Sequence, residues 1–250
     1  MSGHSKWATI KRKKEATDAK RSNMYAKLLR AVEVAAREGG SGDVAANMTL
    51  ASAVEKATSF SVPTENIDRA IKRGTGELGD GQKYEEVTYE GYAPGGIALL
   101  VEALTDNRNR TAQEVRHAFT RNGGNLGETG VVAWQFHRKG VIVVEKATAP
   151  DEERLLELAL EGGAEDLRDS ESSWDVVTAP QDFKAVQGAL EAAGVPVYSA
   201  ELSMEPQTTI PVDGGEATQV LRLIEALEDL DDVQNVYANF DIPEEVMAAL

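Results

Sequence analysis

Residues 140–202 read GVIVVEKATAPDEERLLELALEGGAEDLRDSESSWDVVTAPQDFKAVQGALEAAGVPVYSAEL, and the order of periods within them decides the architecture. Val141–Glu145 is an apolar run of strand length, and Asp151–Leu160 carries apolar residues at helical spacing. Strands follow near Asp166–Arg168 and at Trp174–Thr178, then a helix over Gln181–Ala193 and a strand over Val197–Leu202. The order β-α-β-β-α-β is ferredoxin-like and closes a unit by itself. What lies before and after must therefore complete itself without this segment.

The two flanks fit each other. Upstream, Glu85–Tyr92 and Ile97–Thr105 alternate as strands around Ala93-Pro94-Gly95-Gly96, with Pro and Gly at the positions a type II turn requires. Asp106–Thr111 leads into a helix that faces Ala112, Val115 and Phe119 inward and ends at Gly123-Gly124; Val131–Phe136 follows as a strand. Downstream come an extended piece (Gln207–Val212), a helix (Ala217–Leu230) and a strand (Val233–Asn239). The spacing predicts an α+β chain in which residues 140–206 form a ferredoxin-like domain inserted into a similar domain made of residues 83–139 and 207–240.

Ahead of these domains, the period is 3.6. Met24, Tyr25, Leu28, Leu29, Val32, Ala35 and Ala36 mark one buried face, leaving Lys27, Arg30 and Arg37 on the other. Helices from about Asn47 to Ser59 and from Pro63 or Thr64 to Gly74 complete a three-helix bundle over residues 23–75. Residues 76–82 are a glycine-rich linker. Gly74, Gly76 and Gly79 spell G-x-G-x-x-G, but a dinucleotide site needs a strand before and a helix after, and here the order is reversed.

Residues 1–22 are a basic arm with too few apolar residues to cover a helix face, expected to order on contact. Residues 1–30 hold nine Lys and Arg against Glu15 and Asp18, a net of +7, on a chain whose formal charge is −16; residues 31–250 therefore carry −23. Such asymmetry points to an anionic partner, nucleic acid or a lipid surface. The candidate phosphate contacts are Lys6, Lys11, Arg12, Lys13, Lys14, Lys20, Arg21, Lys27 and Arg30, with Trp7 to stack on an unpaired base. If about six cations engage, log affinity should fall with log salt at a slope of roughly −4 to −5. The competing reading is a solvated tail with Trp7 tucked against the bundle.

Two further groups have a functional and a bland reading. The second and third helices resemble a helix-turn-helix presenting Asn66, Arg69, Lys72 and Arg73, but Glu65 and Asp68 sit among them, as in a plain bundle. Arg108 and Arg110 stand at a helix N-terminus, where the dipole disfavours cations, so an anion should compensate them. That anion is either a carboxylate of this acidic chain or a phosphate, held with Arg116, Arg121 and the Gly123-Gly124-Asn125 loop.

Other classes are excluded or weakened. No Cys means no disulfide and no thiolate metal site, as in a reducing compartment. No apolar leader or membrane-length run is present, so a cytoplasmic protein without membrane attachment is expected, and Asn47 and Asn109 lose meaning as glycosylation signals. The three His (His4, His117, His137) are not at metal spacing, and no nucleophile motif or P-loop occurs; neither an enzyme, a cofactor, a metal nor a small-molecule substrate is expected. Glu228, Asp229, Asp231 and Asp232 lack calcium-loop spacing and read as a solvated turn.

GHSKWATIK with DAKR, NIDRAIKRGTGE, YEGYAPGGIALLVEALTDNRNRT, EVRHAFTRNGGNLGETG and LEDLDDVQNVYANF together resemble the YebC/PmpR family, which includes a mitochondrial translational activator. The resemblance covers most of the chain and is weakest between Asp151 and Pro211. It implies three domains, one helical and two α+β, and singles out Lys6, Trp7, Lys11, Lys20 and Arg21 within the arm. It implies cytoplasmic DNA-binding regulators of transcription, or ribosome- and rRNA-associated translation factors that relieve stalling. A non-enzymatic protein adaptor is the remaining alternative. Phosphate contacts carry no base information, so the residues alone do not separate DNA from RNA, although a body at −23 and a flexible arm with one aromatic suit folded RNA.

Overall fold

The computed structural model describes residues 18–79 and 83–242. Lys6, Trp7, Lys11, Arg12, Lys13 and Lys14 lie outside the described residues, as does the Lys20 side chain. The helical domain consists of α1 (Asp18–Glu38), α2 (Met48–Ser59) and α3 (Thr64–Gly74). The first helix starts earlier than its apolar spacing indicates and takes in the end of the predicted arm. Asn47 caps α2 by accepting from Leu50 N at 3.0 Å, and its amide donates to Ala35 O at 2.9 Å, tying the second helix to the end of the first. Leu28, Val32, Leu50, Ala57, Ile67 and Ala70 form the core between the three.

The outer α+β domain begins with the hairpin β1 (Glu85–Tyr92) and β2 (Ala98–Thr105), in register from Glu85 opposite Thr105 to Tyr92 opposite Ala98. Gly95 at φ 75°, ψ 5° supplies the positive φ of a type II turn. Next come α4 (Arg108–Arg121) and β3 (Asn125–Leu126). After the insertion follow β8 (Ile210–Pro211), α7 (Gly214–Glu228), β9 (Val233–Ala238) and β10 (Phe240–Asp241). The sheet order is β3-β1-β2-β9, all antiparallel, with β8 and β10 as a separate parallel pair. Leu99, Val101, Val115, Phe119, Val220 and Ile224 fill the layer between sheet and helices.

The inserted domain comprises β4 (Phe136–Glu145), α5 (Glu152–Gly162), β5 (Asp166–Ser170), β6 (Ser173–Thr178), α6 (Phe183–Ala192) and β7 (Ser199–Pro206). Its sheet order, β5-β6-β4-β7, is the ferredoxin-like arrangement. The outer domain has the same layers with a different connection: its hairpin joins the two central strands, and each edge strand arrives behind a helix. Both domains are α+β, but only the inserted one has the ferredoxin-like strand order.

Residues 131–135, predicted as a strand, form a turn instead. The buried Glu90 carboxylate accepts from the backbone N–H groups of Gly130, Val132 and Ala133 at 2.6, 2.7 and 2.7 Å, bending the chain around itself. Val132 and Phe136 are buried against Ala98, Leu100 and Tyr237 on the second face of the outer sheet, where Met204 of β7 joins them. The insertion thus packs on its host, and its two ends meet where Gln207 N donates to Gln135 O at 2.8 Å. Among the described residues no helix is long and apolar enough to cross a membrane.

Candidate nucleic-acid interface

At the root of the basic arm lies an open cleft of about 340 Å³, lined by Arg21, Met24 and Tyr25 of α1, by Ser59, Phe60 and Ser61 at the end of α2, and by Tyr198 before β7. Each wall is fixed by its own element. The Tyr25 hydroxyl donates to Ser61 O at 3.0 Å, and Ser61 adopts the left-handed region at φ 60°, rare for a residue with a side chain. Tyr198 N donates to Val143 O at 2.9 Å, pinning that aromatic to the edge of β4. The salt bridges Lys56–Glu201 at 3.5 Å and Lys184–Glu55 at 2.5 Å join α2 to the inserted domain. Arg21 is exposed at the mouth. The cleft therefore offers aromatic surface beside a cation, the pairing that holds single-stranded nucleic acid.

Lys27 and Arg30 do not belong to this surface, which corrects the set drawn from charge alone. They share a face of α1 with Asn23, at helical spacing, and that face docks on the C-terminal end of α7. Asn23 donates to Asp229 O at 3.2 Å, Lys27 to Glu228 O, and Arg30 to Asp231 O at 2.9 Å and Leu104 O at 3.2 Å. The last carbonyls of a helix have no intrahelical donor and sit at the negative end of its dipole, so they attract cations. Lys27 is buried by this contact, and Arg30 lies 5.0 Å from the Tyr84 ring centroid.

Asp232 is the centre of the junction. Its buried carboxylate takes Arg30 at 3.0 Å on one oxygen, and Arg110 at 2.6 Å, Thr111 at 2.7 Å and Thr105 at 3.0 Å on the other. Burial alone would raise its pKa, but the hydrogen bonds from Arg110, Thr111 and Thr105 hold it below the ordinary aspartate value. Asp106 adds a second carboxylate to Arg110 at 2.8 Å. The 228–232 segment is thus a docking turn rather than a solvated one. For Arg110, the anion is a carboxylate of the chain, so its role as a phosphate contact is corrected. Arg108 faces Glu85 at 3.7 Å with both side chains exposed, whereas Arg116 and Arg121 are exposed with no carboxylate partner among the described residues. On α3, Arg73 is drawn to Glu33 at 3.0 Å, leaving Arg69 and Lys72 exposed.

Three residues were not singled out from the sequence. Phe60 and Tyr198 reach the cleft from segments far apart in the chain, and neither has a local signal. Trp134 is 65 % exposed on the turn that Glu90 organises, its indole N–H donating to Val131 O at 3.2 Å. Its apolar neighbours made it read as a strand residue. No group of three or more His, Asp or Glu is placed to hold a metal ion among the described residues.

The family models for the TACO1/YebC N-terminal domain and the TACO1/YebC second and third domain match residues 5–77 and 84–240. The chain is 57 % identical over 243 residues to a protein of Pelotomaculum thermopropionicum, covering 97 % of this chain and 99 % of the relative. It is 58 % identical over 248 residues to one of Rubrobacter xylanophilus, covering 99 % and 98 %. Both relatives carry the name "Probable transcriptional regulatory protein". The crystal structure of a conserved hypothetical protein from Aquifex aeolicus superposes with a TM-score of 0.80 at 48 % identity, over 92 % of this chain and 94 % of that one. With both of its family models matched in order along a three-domain fold, the chain belongs to the TACO1/YebC family.

Proposed function

We propose that this protein is a cytoplasmic, non-enzymatic, nucleic-acid-binding regulator of gene expression that works without a cofactor. The observation that carries the reading is Arg21, set at the mouth of an aromatic cleft immediately after a segment of exceptional positive charge. The first form of the proposal is a DNA-binding regulator of transcription, in line with the names of the relatives. The second is an RNA- or ribosome-binding translation factor. One observation favours it: aromatic walls suit an unpaired base better than a closed duplex.

Sedimentation of cell lysate through sucrose at low and moderate salt separates the two forms. Travel with ribosomes supports the translation form; a protein that stays at the top and binds promoter DNA with sequence preference eliminates it. Exchange of Lys11, Lys13, Lys14, Lys20 and Arg21 for Glu should abolish nucleic-acid binding in either form, and unchanged binding would refute the role of the arm. Lys27 and Arg30 are left out of that exchange because their side chains hold the domains together.

A further inference from the structure

We infer that the cleft between α1, the turn after α2 and Tyr198 is a seat for one unpaired nucleotide, its base among Tyr25, Phe60 and Tyr198 and its phosphate at Arg21. This deepens the proposed function and rests on it. A volume of about 340 Å³ is at the lower end of ligand-sized clefts. It is enough for a single unpaired nucleotide. The wall chemistry agrees: three aromatic rings offer stacking that every base accepts, while Ser59 and Ser61 line the same space with hydroxyls that can meet base edges. The left-handed Ser61 closes the end of α2, with Ser61 N donating to Thr58 O and Val62 N to Ala57 O, and the Tyr25 hydroxyl fixes its carbonyl at the cleft wall.

Charge complementarity selects the occupant. The most basic segment of an acidic chain immediately precedes Arg21 in sequence, with Lys20 adjacent to it and Lys11 to Lys14 a few residues earlier. An apolar peptide would use the rings and leave that charge without a role, whereas a single-stranded nucleic acid uses both. The walls come from two domains, α1 and the α2 end on one side and Tyr198 on the other, so an occupied seat bridges the helical and inserted domains.

The arm and the seat make different contributions, and the experiment separates them. The full chain is titrated against fluorescently labelled oligouridylate, oligothymidylate and a duplex of equal length, at several salt concentrations. Tyr198→Ala should weaken binding of single strands by about five- to a hundredfold, leave the duplex affinity unchanged, and leave the salt slope unchanged. Tyr198→Phe, which keeps the ring, should bind as the native chain does. Exchange of Lys11, Lys13, Lys14 and Lys20 for Glu, with Arg21 of the seat kept, should instead weaken binding of all three probes and flatten the salt slope. A preference for oligouridylate over oligothymidylate assigns the seat to RNA, and the reverse assigns it to melted DNA. Photocross-linking of 4-thiouridine-containing RNA to the native chain, read by mass spectrometry, needs no variant and should label peptides containing Tyr25, Phe60 or Tyr198. If the native chain binds nucleic acid but Tyr198→Ala binds single strands equally well, or the cross-links fall elsewhere, the seat is refuted and the proposed function survives. If the native chain binds none of the probes and no RNA cross-links, both fall.

Discussion

Asp232 is a single carboxylate on which a strand, two helices and two domains converge. Replacing it with Asn keeps the shape and removes the charge, leaving Arg30 and Arg110 without their shared anion. The expected loss is about 3 kcal/mol, at the low end for a broken buried ion pair because Arg110 is partly exposed to water; thermal melting checks it. The pH dependence follows from its lowered folded-state pKa. A carboxyl held below its ordinary value stabilises the fold above about pH 4, and that stability is lost as pH falls through the folded value. The Asp232→Asn variant should therefore show a flatter acid limb than the native chain in a stability titration. None of this was legible in LEDLDDVQNV, where four acidic residues within five positions of turn character look alike. Which of them is buried depends on Arg30 and Arg110, each more than a hundred residues away in the chain. The same blindness misassigned Lys27 and Arg30, because a charge count records sign and not the direction in which a helix face points.

At the scale of elements, sequence periods placed the helices well. A helix declares itself through contacts three and four residues apart, so Leu28, Val32 and Ala35 or Val220, Leu223 and Leu227 need no knowledge of the rest of the chain. The failures were the elements whose shape is imposed from outside. The 127–135 turn is one: Val131 and Val132 have strand propensity, but three bonds to Glu90 on another strand override it. Glu90→Gln offers one acceptor oxygen and an NH₂ that opposes the backbone donors, so the turn should loosen at a cost of about 1.5–3 kcal/mol. Faster hydrogen exchange at Gly130, Val132 and Ala133, with altered Trp134 fluorescence, is the readout. A second test lies between α1 and α3. At Gly74, a Cβ would stand 2.3 Å from Glu33 O and 2.7 Å from the Ala36 Cβ. Gly74→Ala must therefore push the two helices apart, lowering stability by about 1–3 kcal/mol despite the better helix propensity of alanine. A stabilised variant in chemical denaturation would show that the helices do not pack this closely.

For the whole molecule, the question is how three small domains act together. The α1 face bearing Asn23, Lys27 and Arg30 holds the helical domain to the end of α7, and the double change Lys27→Ala, Arg30→Ala removes most of that clasp. Calorimetry should then resolve an early transition of the helical domain from the rest, where the native chain should unfold its helical and outer domains together; scattering should report a larger radius of gyration. Exposed pairs such as Lys56–Glu201 contribute little by comparison, since solvent screens them. This layer of organisation was the least legible. The order of elements indicates how many domains there are, but the contacts between them rest on side chains such as Met204 and Tyr198 that no local pattern distinguishes.

The single hydrogen bond from Gln207 N to Gln135 O also bears on how the chain reaches its native state. Between these two residues lie roughly 70 others, and bringing the ends of so long a flexible loop together costs about 4 kcal/mol in entropy. Because β4 and β7 run side by side from Phe136 opposite Pro206, a folded insertion already presents its two ends at bonding distance. The outer domain, whose β2 must pair with a β9 more than a hundred residues later, then closes as though the intervening residues were a tight turn. The expected order of folding is therefore from the inside out, with the inserted domain forming first and bringing β9 to its neighbour.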